Sequence, residues 1–211
     1  MTTKTLYLFR HGETDWNVQR RLQGRTAHVP LNALGVRQAH NVAQNLKDKN
    51  IRAIYSSPLL RAQQTATIVA EHCGAVVTYV TELQERSFGK LEGLSRDEID
   101  HAYPEVGEIL RSGKGFDFDT INTSEYQIET VAASLDRFRN AVQGIAQNRN
   151  EVTLAISTHG AVIYNFLREI KSDHGSNHVG NGEVLVFEYT LADDAFRLIE
   201  RLSAPHYSGN P

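Results

Sequence analysis

Two histidines in this sequence directly follow apolar segments with the character of buried strands. His11 comes shortly after the apolar run Thr5–Phe9, and His159 comes shortly after Val152–Ser157. Because the ligand sites of α/β sheets lie in loops beyond the carboxyl ends of the strands, both imidazoles are expected at one edge of a sheet. A glycine follows each histidine, which we interpret as allowing a tight turn of the backbone.

Two arginines are expected to join these histidines. Arg10 precedes His11 in the chain, and Arg61 lies in the first turn of a predicted helix over Pro58–Cys73, near the positive end of the helix dipole. A guanidinium group is suited to phosphate because its planar fork binds oxygen atoms in pairs. Two arginines and two histidines at one edge of the sheet therefore predict a site that surrounds one oxyanion.

The composition excludes several classes of protein. The 211-residue chain has a net charge of −3, with 22 basic and 25 acidic residues, and its single cysteine, Cys73, cannot form an intrachain disulfide. Nucleic-acid binders carry a basic excess, because phosphate contacts dominate their affinity, so no nucleic acid is expected as a partner. Since no apolar run approaches the roughly 18 residues of a membrane span, we expect no membrane association and a cytoplasmic location.

Alternating strand and helix patterns predict a single α/β domain over residues 1–211. The predicted strands are Thr5–Phe9, Ala53–Ser56, Val76–Val80, Val152–Ser157, Val184–Tyr189 and Phe196–Arg201. The predicted helices are Ala33–Lys47, Pro58–Cys73, Gln127–Asn148 and Ala161–Glu169. The polar, glycine-containing stretch Thr81–Tyr126 is expected to form loops and short helices.

Short motifs surround the histidines and continue along the chain. They are Leu8–Thr14, Trp16-Asn17, Arg21–Gly24, Tyr55–Ala62, Leu83–Glu85, Leu91–Gly93, Ser157–Gly160 and Asn181-Gly182. In this order they resemble the histidine phosphatase superfamily, in its phosphoglycerate mutase-like branch. The match is dense over about residues 5–93 and again over about 150–190. The resemblance implies a three-layer α/β/α sandwich with a largely parallel sheet.

The resemblance also implies a role for each matching residue in catalysis. His11 is the nucleophile that accepts the phosphoryl group, while Arg10, Arg61 and His159 bind the phosphate oxygens. Glu85 donates a proton to the leaving oxygen and later acts as the base for water. Because phosphoryl transfer depends on positioning and charge neutralisation, fixed cations replace the charge of a metal, and no metal or cofactor is expected. His11 must attack as a neutral imidazole, so its other ring nitrogen should donate to a backbone carbonyl.

The resemblance assigns a second group of residues to substrate binding. This group consists of Arg10, Asn17, Gln23, Gly24, Arg61, His159 and Gly160. Asn17 is expected to add a hydrogen bond to phosphate, and Gln23 and Gly24 are expected to line the entrance. His174 and His178 are four residues apart, but the intervening Gly175–Asn177 argues against a helix, so we interpret them as polar loop residues rather than metal ligands.

One segment departs from the family pattern, and another is left without a motif. The family often has Gly-Glu-Ser before its long helix, where this chain has Ile128-Glu129-Thr130, so no substrate role is assigned to that loop. The segment of about residues 95–126 is expected to cap the site and to select the substrate. It carries Arg96, Arg111 and Lys114 among several acidic residues, a pattern that does not predict a second phosphate site.

These features favour a metal-independent phosphatase that hydrolyses small phosphomonoesters through a phosphohistidine. Phosphoglycerate mutase is the alternative within the family, but the chain is short for that branch and its cap lacks a basic cluster. A phosphoprotein phosphatase acting on phosphohistidine or phosphoserine also stays open. A non-catalytic phosphate-binding or interaction module is the alternative from another class, and the intact catalytic set argues against it. The physiological substrate and the oligomeric state stay open, with a homodimer as one arrangement.

Overall fold

The computed structural model of the chain describes residues 3–111, 123–148, 150–171 and 176–202. Its strands are β1 (Thr3–Arg10), β2 (Ala53–Ser56), β3 (Val76–Tyr79), β4 (Thr153–Thr158), β5 (Val184–Thr190) and β6 (Ala195–Leu202). Its α-helices are α1 (Asp15–Val18), α2 (Ala33–Leu46), α3 (Leu60–Cys73), α4 (Arg96–Ala102), α5 (Pro104–Arg111), α6 (Thr123–Tyr126), α7 (Val131–Gln147) and α8 (Gly160–Glu169). No helix within these ranges combines the length and apolar character needed to cross a membrane.

The strands form one six-stranded sheet in the order β3-β2-β4-β1-β5-β6. The pairs β3–β2, β2–β4 and β4–β1 are parallel, whereas β5 runs antiparallel to both of its neighbours. Arg10 lies opposite Thr158 on β4, and Ser56 on β2 lies opposite Ser157. The carboxyl ends of three adjacent strands therefore meet at one edge, which confirms the predicted largely parallel sheet and brings the loops that follow these strands together.

The two faces of the sheet are covered by different helices. Leu6 and Leu8 of β1 belong to a core with α7 and α8, in which Phe166 is 1% exposed. Tyr7 and Phe9 point to the opposite face and join a core with α2 and α3. The alternation of side chains along a strand thus supplies both layers of helix with an apolar surface. This arrangement is the predicted three-layer α/β/α sandwich.

A third, smaller apolar cluster lies beneath the short helices of the predicted cap. Ile99 of α4 and Val106 of α5 are fully buried there, and Tyr126 of α6 joins them together with Ala161 at the start of α8. The cap helices are therefore packed onto the helix that begins at His159-Gly160. Residues 112–122 of the cap segment lie outside the described residues, and the rest consists of loops and short helices as predicted.

Two helices begin later than their sequence patterns predict. Helix α3 begins at Leu60 rather than Pro58, because Leu59 has an extended backbone and is itself the N-cap residue. The hydroxyl of Ser57 accepts a hydrogen bond from the amide of Leu59 over 3.3 Å and lies 2.7 Å from Nε2 of His159. Helix α7 begins at Val131 rather than Gln127, because Thr130 accepts a hydrogen bond from the amide of Ala133 and so caps the helix there.

The loop after β1 is pressed against the start of α2 through two glycines. A Cβ atom at Gly12 would collide with the carbonyl of Gly35, and a Cβ atom at Gly35 would collide with the carbonyl of Glu13. Gly12 has no positive φ, so this glycine is required by the close approach of two backbones and not by a left-handed backbone conformation. The contact places His11 against a rigid support.

We expect Gly35→Ala to lower the free energy of unfolding by about 1–3 kcal/mol, because the added methyl group meets backbone that cannot rotate away. Gly144→Ala is the matched control, since its Cβ would meet nothing within 4 Å in the last turn of α7. That substitution should raise the free energy of unfolding by about 0.5–1 kcal/mol through helix propensity. Urea unfolding measures both values, and equal effects at the two positions would contradict the close-approach argument.

Candidate active site

A cavity of about 320 Å³ opens at the carboxyl end of β1, beside the start of α8. Its lining includes eight of the residues assigned to the site from sequence, which are Arg10, His11, Asn17, Gln23, Gly24, Arg61, Glu85 and Gly160. The remaining lining residues are Arg21, Leu22, Phe88, Arg96, Ala161, Tyr164, His178 and Val179. His159 is fully buried next to the cavity but does not line it.

His11 is held in one orientation by hydrogen bonds at both its backbone and its ring. Its amide donates to the carbonyl of Thr158 over 3.0 Å, which ties the end of β1 to β4. Its Nδ1 lies 2.7 Å from the carbonyl oxygen of Gly12. Because a carbonyl can only accept a hydrogen bond, Nδ1 carries the proton in the neutral ring and Nε2 keeps its lone pair. This is the backbone contact predicted for a nucleophilic histidine.

The surroundings of His11 also keep its ring neutral. Burial of the imidazole lowers its pKa well below 6.5, and the positive charges of Arg61 and Arg10 lower it further. The hydrogen bond to Gly12 acts in the opposite direction and does not outweigh them. A neutral imidazole with a free Nε2 lone pair is the form that can attack phosphorus at neutral pH.

His159 lies beside His11, with their ring centroids 5.3 Å apart. Burial lowers the pKa of His159 well below 6.5, and the charge of Arg61 and the proximity of His11 add to the effect. Its Nε2 lies 2.7 Å from the hydroxyl of Ser57, and its Nδ1 has no hydrogen-bond partner among the described residues. The ring of His159 is therefore neutral and lies beside His11. It is enclosed by protein and does not line the cavity.

Arg61 is a fully buried cation whose partners are backbone carbonyls. Its two terminal nitrogens donate to Gly24 over 2.7 Å and to Thr26 over 2.9 Å, and its Nε has no partner in the part of the chain described. Burial lowers the pKa of Arg61 to about 10, and the charge of Glu85 partly opposes this shift. The guanidinium is therefore still positive at neutral pH, in a place where charge is costly without a counter-ion.

Arg10 repeats this pattern on the other side of His11. Its NH1 donates to the carbonyl of Val179 over 2.8 Å, and its Nε is buried without a partner among the described residues. Burial lowers its pKa, although nearby carboxylates such as Glu85 raise it. Neither Arg10 nor Arg61 forms an ion pair with a carboxylate in the described ranges. Two guanidinium groups beside a neutral imidazole have the charge and hydrogen-bond donors that suit an anion.

Glu85 caps the helix that begins beside His159. Its Oε1 accepts hydrogen bonds from the amides of Arg86 and Val162, over 2.9 and 3.1 Å, and its Oε2 accepts one from Ala161 over 2.9 Å. Helix α8 has no cap from its own N-cap residue, His159, so this carboxylate satisfies two of its unpaired N–H groups. These three hydrogen bonds hold the Glu85 carboxyl group at the wall of the cavity.

The segment that departs from the family pattern holds the Glu85 loop in place. Arg137 on α7 donates to the carbonyls of Gln84 and Glu85, over 3.0 and 3.4 Å, and forms an ion pair with Glu129. Burial disfavours the charged form of Glu129, but hydrogen bonding and charge from Arg137, together with the charge of Arg25, leave its pKa lowered. Glu129 is therefore a partly buried anion that pairs with two arginines, and it does not line the cavity.

Asn17 is fixed from three sides. Its Oδ1 accepts hydrogen bonds from the amide and hydroxyl of Thr14, over 3.1 and 3.0 Å, and lies 3.3 Å from Nδ2 of Asn181. Asn181 also donates to the carbonyl of His11 over 3.1 Å. Because protein donors occupy the amide oxygen of Asn17, its amide nitrogen is the atom that remains to bind a ligand oxygen.

Three residues that support the site were not singled out from the sequence. Ser57 contacts His159, Thr65 accepts a hydrogen bond from the amide of Gly12 over 3.1 Å, and Arg137 clamps the Glu85 loop. The position of Ser57 directly after strand β2 was a signal that could have identified it. Thr65 lies in Gln64-Thr65-Ala66, a segment that continues the family pattern, whereas Arg137 lies within a helix and carries no comparable sequence signal. Within the described ranges, no cluster of three or more histidine, cysteine, aspartate or glutamate side chains is suited to a metal ion.

A sequence model of the histidine phosphatase superfamily (branch 1) matches residues 6–200. A Bacillus subtilis (strain 168) protein named uncharacterized phosphatase PhoE is 34% identical over 163 residues, which are 77% of this chain and 75% of that protein. A Yersinia pestis (strain Pestoides F) protein named probable phosphoglycerate mutase GpmB is 46% identical over 94 residues, which are 44% and 43% of the two chains. The native structure of a mycobacterial glucosyl-3-phosphoglycerate phosphatase superimposes with a TM-score of 0.76 at 26% identity, covering 93% of this chain and 97% of that one.

We expect the free energy of unfolding to fall as the pH drops from 7 to 5.5, because His11 and His159 have lowered pKa values in the folded protein and so bind protons less readily than in the unfolded chain. Below the unfolded pKa of about 6.5, each such histidine adds a slope of up to about 1.4 kcal/mol per pH unit. His159→Asn should reduce this slope in urea unfolding measured at several pH values. His101→Asn, on the exposed side of α4, is the control, and equal slopes for all three proteins would refute the expectation.

We expect Glu85→Gln to lower the free energy of unfolding by about 1–3 kcal/mol, because an amide NH₂ replaces an oxygen that accepts from the start of α8 and leaves a buried N–H unpaired. The exposed neighbour Glu82 provides the control, and Glu82→Gln should change stability little. Thermal and urea unfolding of the two variants measure the difference. A Glu85→Gln variant as stable as the parent would show that the carboxylate is not a helix cap in solution.

Proposed function

The chain belongs to the histidine phosphatase superfamily, and from this premise we propose that it hydrolyses small phosphomonoesters through a phosphate bound covalently to His11. The observation that carries the proposal is the hydrogen bond of 2.7 Å from Nδ1 of His11 to the carbonyl oxygen of Gly12. Because Nδ1 holds the proton, Nε2 is the nucleophilic atom. His11 lines the cavity together with Arg10 and Arg61, and neither arginine forms an ion pair among the described residues. A phosphatase or mutase-type enzyme requires this combination of nucleophile and cations.

In the first step, Nε2 of His11 attacks the phosphorus atom of the ester. The new N–P bond forms as the bond between phosphorus and the ester oxygen breaks, and the electron pair of that bond leaves with the alcohol oxygen. Arg10 and Arg61 stabilise the negative charge on the phosphoryl oxygens, and the amide nitrogen of Asn17 adds a hydrogen bond. Phosphate binding by His159 stays a prediction. Its ring lies next to that of His11, but it is fully buried and does not line the cavity.

Glu85 supplies the proton that the leaving alcohol requires. Two protein N–H groups occupy Oε1 of the carboxyl group, whereas Oε2 accepts one, so Oε2 has the lone pair that can hold the transferable proton. In the second step the resulting carboxylate removes a proton from water, the water oxygen bonds to phosphorus, and the N–P bond breaks. Inorganic phosphate leaves, and His11 and Glu85 return to their starting states.

The names of similar proteins support a phosphatase without settling the reaction. Of the relatives that match about three quarters of this chain, one is named a phosphatase and another is named phosphoglycerate mutase-like protein 4, while the mycobacterial structure with TM-score 0.76 is named a phosphatase. The relative with 46% identity is named a probable phosphoglycerate mutase, but its match spans less than half of either chain. We therefore favour a hydrolase, whose substrate is a small phosphate ester.

A phosphoglycerate mutase is the second candidate, and one structural observation favours it. A mutase must hold a phosphorylated intermediate with two anionic groups, and the mouth of this cavity is lined by further arginines, Arg21 and Arg96. The same observation is compatible with a phosphatase whose substrate carries a second negative charge. Transfer of the phosphoryl group to water or to a second hydroxyl therefore distinguishes the two candidates.

We expect the protein to hydrolyse p-nitrophenyl phosphate in the presence of excess chelator, and we expect His11→Ala to reduce kcat at least about 10³-fold by removing the nucleophile. His72→Ala, an exposed histidine on α3, is the matched control and should retain activity. After acid-free quenching, a substrate labelled with ³²P should leave alkali-stable, acid-labile label on the wild type and none on His11→Ala. Loss of activity with chelator would contradict metal independence.

The mutase alternative is tested on the same preparations. Conversion of 3-phosphoglycerate to 2-phosphoglycerate that is faster than release of inorganic phosphate would show a mutase and overturn the hydrolase. Release of phosphate without isomerisation would support the hydrolase. If no ester reacts and inorganic phosphate still binds, the site belongs to a non-catalytic phosphate-binding module.

A further inference from the structure

Glu92 is a partly buried carboxylate for which the proposed mechanism has no role. Its Oε1 accepts hydrogen bonds from the amide of Arg25 over 3.0 Å and from the amide of Phe88 over 2.9 Å. The hydroxyl of Ser87 also donates to Oε1, over 3.3 Å, and the hydroxyl of Thr26 donates to Oε2 over 3.2 Å. One carboxylate therefore joins two loops that lie far apart in the sequence.

The first of these loops fixes the guanidinium group of Arg61. The carbonyls of Gly24 and Thr26 accept from Arg61 over 2.7 and 2.9 Å, and the amide that Glu92 holds belongs to Arg25, between them. Gly24 has a φ of +47°, and a Cβ atom at this position would collide with the carboxylate of Glu92. The loop that orients Arg61 is therefore packed directly on Glu92.

The second loop carries Glu85. Ser87 and Phe88, the two donors from this loop, follow Glu85 closely in the chain, and Phe88 lines the same cavity as Glu85. The side chain of Arg25 adds a further link, because its Nε donates to the carbonyl of Glu85 over 3.3 Å. The contacts of Glu92 thus hold the loop of the proton donor against the loop of the buried cation.

Glu92 acts on these groups from outside the cavity, since it does not line the space that contains His11. It forms no ion pair within the described ranges, so the donors of the two loops are what hold its carboxylate. Burial lowers the pKa of Arg61, and the charges of Glu85 and Glu92 oppose that shift. An effect of Glu92 on a bound phosphate therefore passes through Arg61 and Glu85.

We propose that Glu92 is a positioning residue that sets the alignment of Arg61, at the phosphoryl group, with Glu85, at the leaving oxygen. The proposal rests on the proposed function for the roles of these two residues. A displacement of about 1 Å in such an arrangement can cost about 100-fold in rate, because proton transfer requires hydrogen-bond distance. Without the carboxylate, the two loops lose the contact that keeps the proton donor opposite the leaving group of a phosphate bound at Arg61.

Three substitutions of Glu92 separate its position from its charge. Glu92→Gln removes the charge but keeps an oxygen for the two amides, and its NH₂ can donate to the hydroxyl of Thr26, which accepts as well as donates. Glu92→Ala removes both the charge and the acceptors. Glu92→Asp keeps the charge but shortens the side chain by one methylene group, so it serves where the alanine variant does not fold.

The control for lost stability is Ile51→Ala. Ile51 is 1% exposed and precedes β2, at the end of the sheet away from the cavity, and it does not line the cavity. Its truncation leaves a hole in the core and no change at the site. A variant that is only less stable lowers the rates of two substrates by the same factor, because both substrates meet the same folded fraction.

The measurement is kcat/KM for phenyl phosphate and for p-nitrophenyl phosphate, two esters of similar shape. p-Nitrophenolate is a weak base and leaves readily without a proton, whereas phenolate depends more on a proton donor. We expect Glu92→Ala and Glu92→Asp to lower kcat/KM for phenyl phosphate about tenfold more than for p-nitrophenyl phosphate. Glu92→Gln and Ile51→Ala should keep the ratio of the unmodified chain.

A double substitution shows whether Glu92 acts through Glu85. Glu85→Gln by itself should lower the same ratio, and adding Glu92→Ala should lower it no further, since the proton donor is already absent. An additional fall in the double variant overturns the positioning role. An unchanged ratio in both Glu92→Ala and Glu92→Asp overturns it as well, and so does an equal fall in Glu92→Gln, which would show that the charge matters and not the position.

A failure of the proposed hydrolase is recognised separately, because the unmodified chain would then hydrolyse neither ester. Isothermal titration calorimetry with inorganic phosphate decides the positioning role in that case. Glu92→Ala should bind phosphate about tenfold more weakly than Glu92→Gln, since both lack the charge and only the alanine variant releases the loop that orients Arg61. Equal affinity of these two variants for phosphate would overturn the proposal.

Discussion

Arg61 places a positive charge in the interior, and it forms no ion pair with a carboxylate among the described residues. The cost of removing a guanidinium from water is high, and here backbone carbonyls of Gly24 and Thr26 meet only part of it. The guanidinium holds the loop that contains these carbonyls, and together with burial its charge lowers the pKa of His11. A single buried cation therefore acts both on the loop that lines the cavity and on the histidine within it.

Glu85 has the opposite charge and a different means of compensation. Its carboxyl group accepts N–H groups at the start of α8, where the helix dipole favours negative charge. The loop that carries it is clamped by Arg137, whose own charge is balanced by Glu129. The segment Ile128-Glu129-Thr130, which departs from the family pattern, thus contributes to the site indirectly. Glu129 forms the ion pair that positions Arg137, and Thr130 is the N-cap residue of α7.

Local patterns predicted most of the elements but misplaced some of their ends. Apolar runs and helical periodicity identified the six strands and the longer helices, because burial imposes those periods on the chain. The start of α3 was predicted too early, because Leu59 has an extended backbone, and Ser57, the expected cap, also contacts His159, about a hundred positions later in the chain. Gly12 was interpreted as a turn residue, whereas its role is set by the approach of Gly35. Contacts between distant segments decided both cases.

The sequence by itself determined the family, the α/β/α sandwich and most of the residues that gather at one cavity, because ordered motifs after buried strands leave little freedom in where those residues lie. Only the tertiary structure decided the contacts that each of them makes. It enclosed His159, turned Glu85 into the cap of a helix, and brought Arg21 and Arg96 to the mouth of the cavity, which the cap sequence had not predicted. The physical reason is that burial, charge compensation and backbone contact arise between segments far apart in the chain, and no local pattern records them.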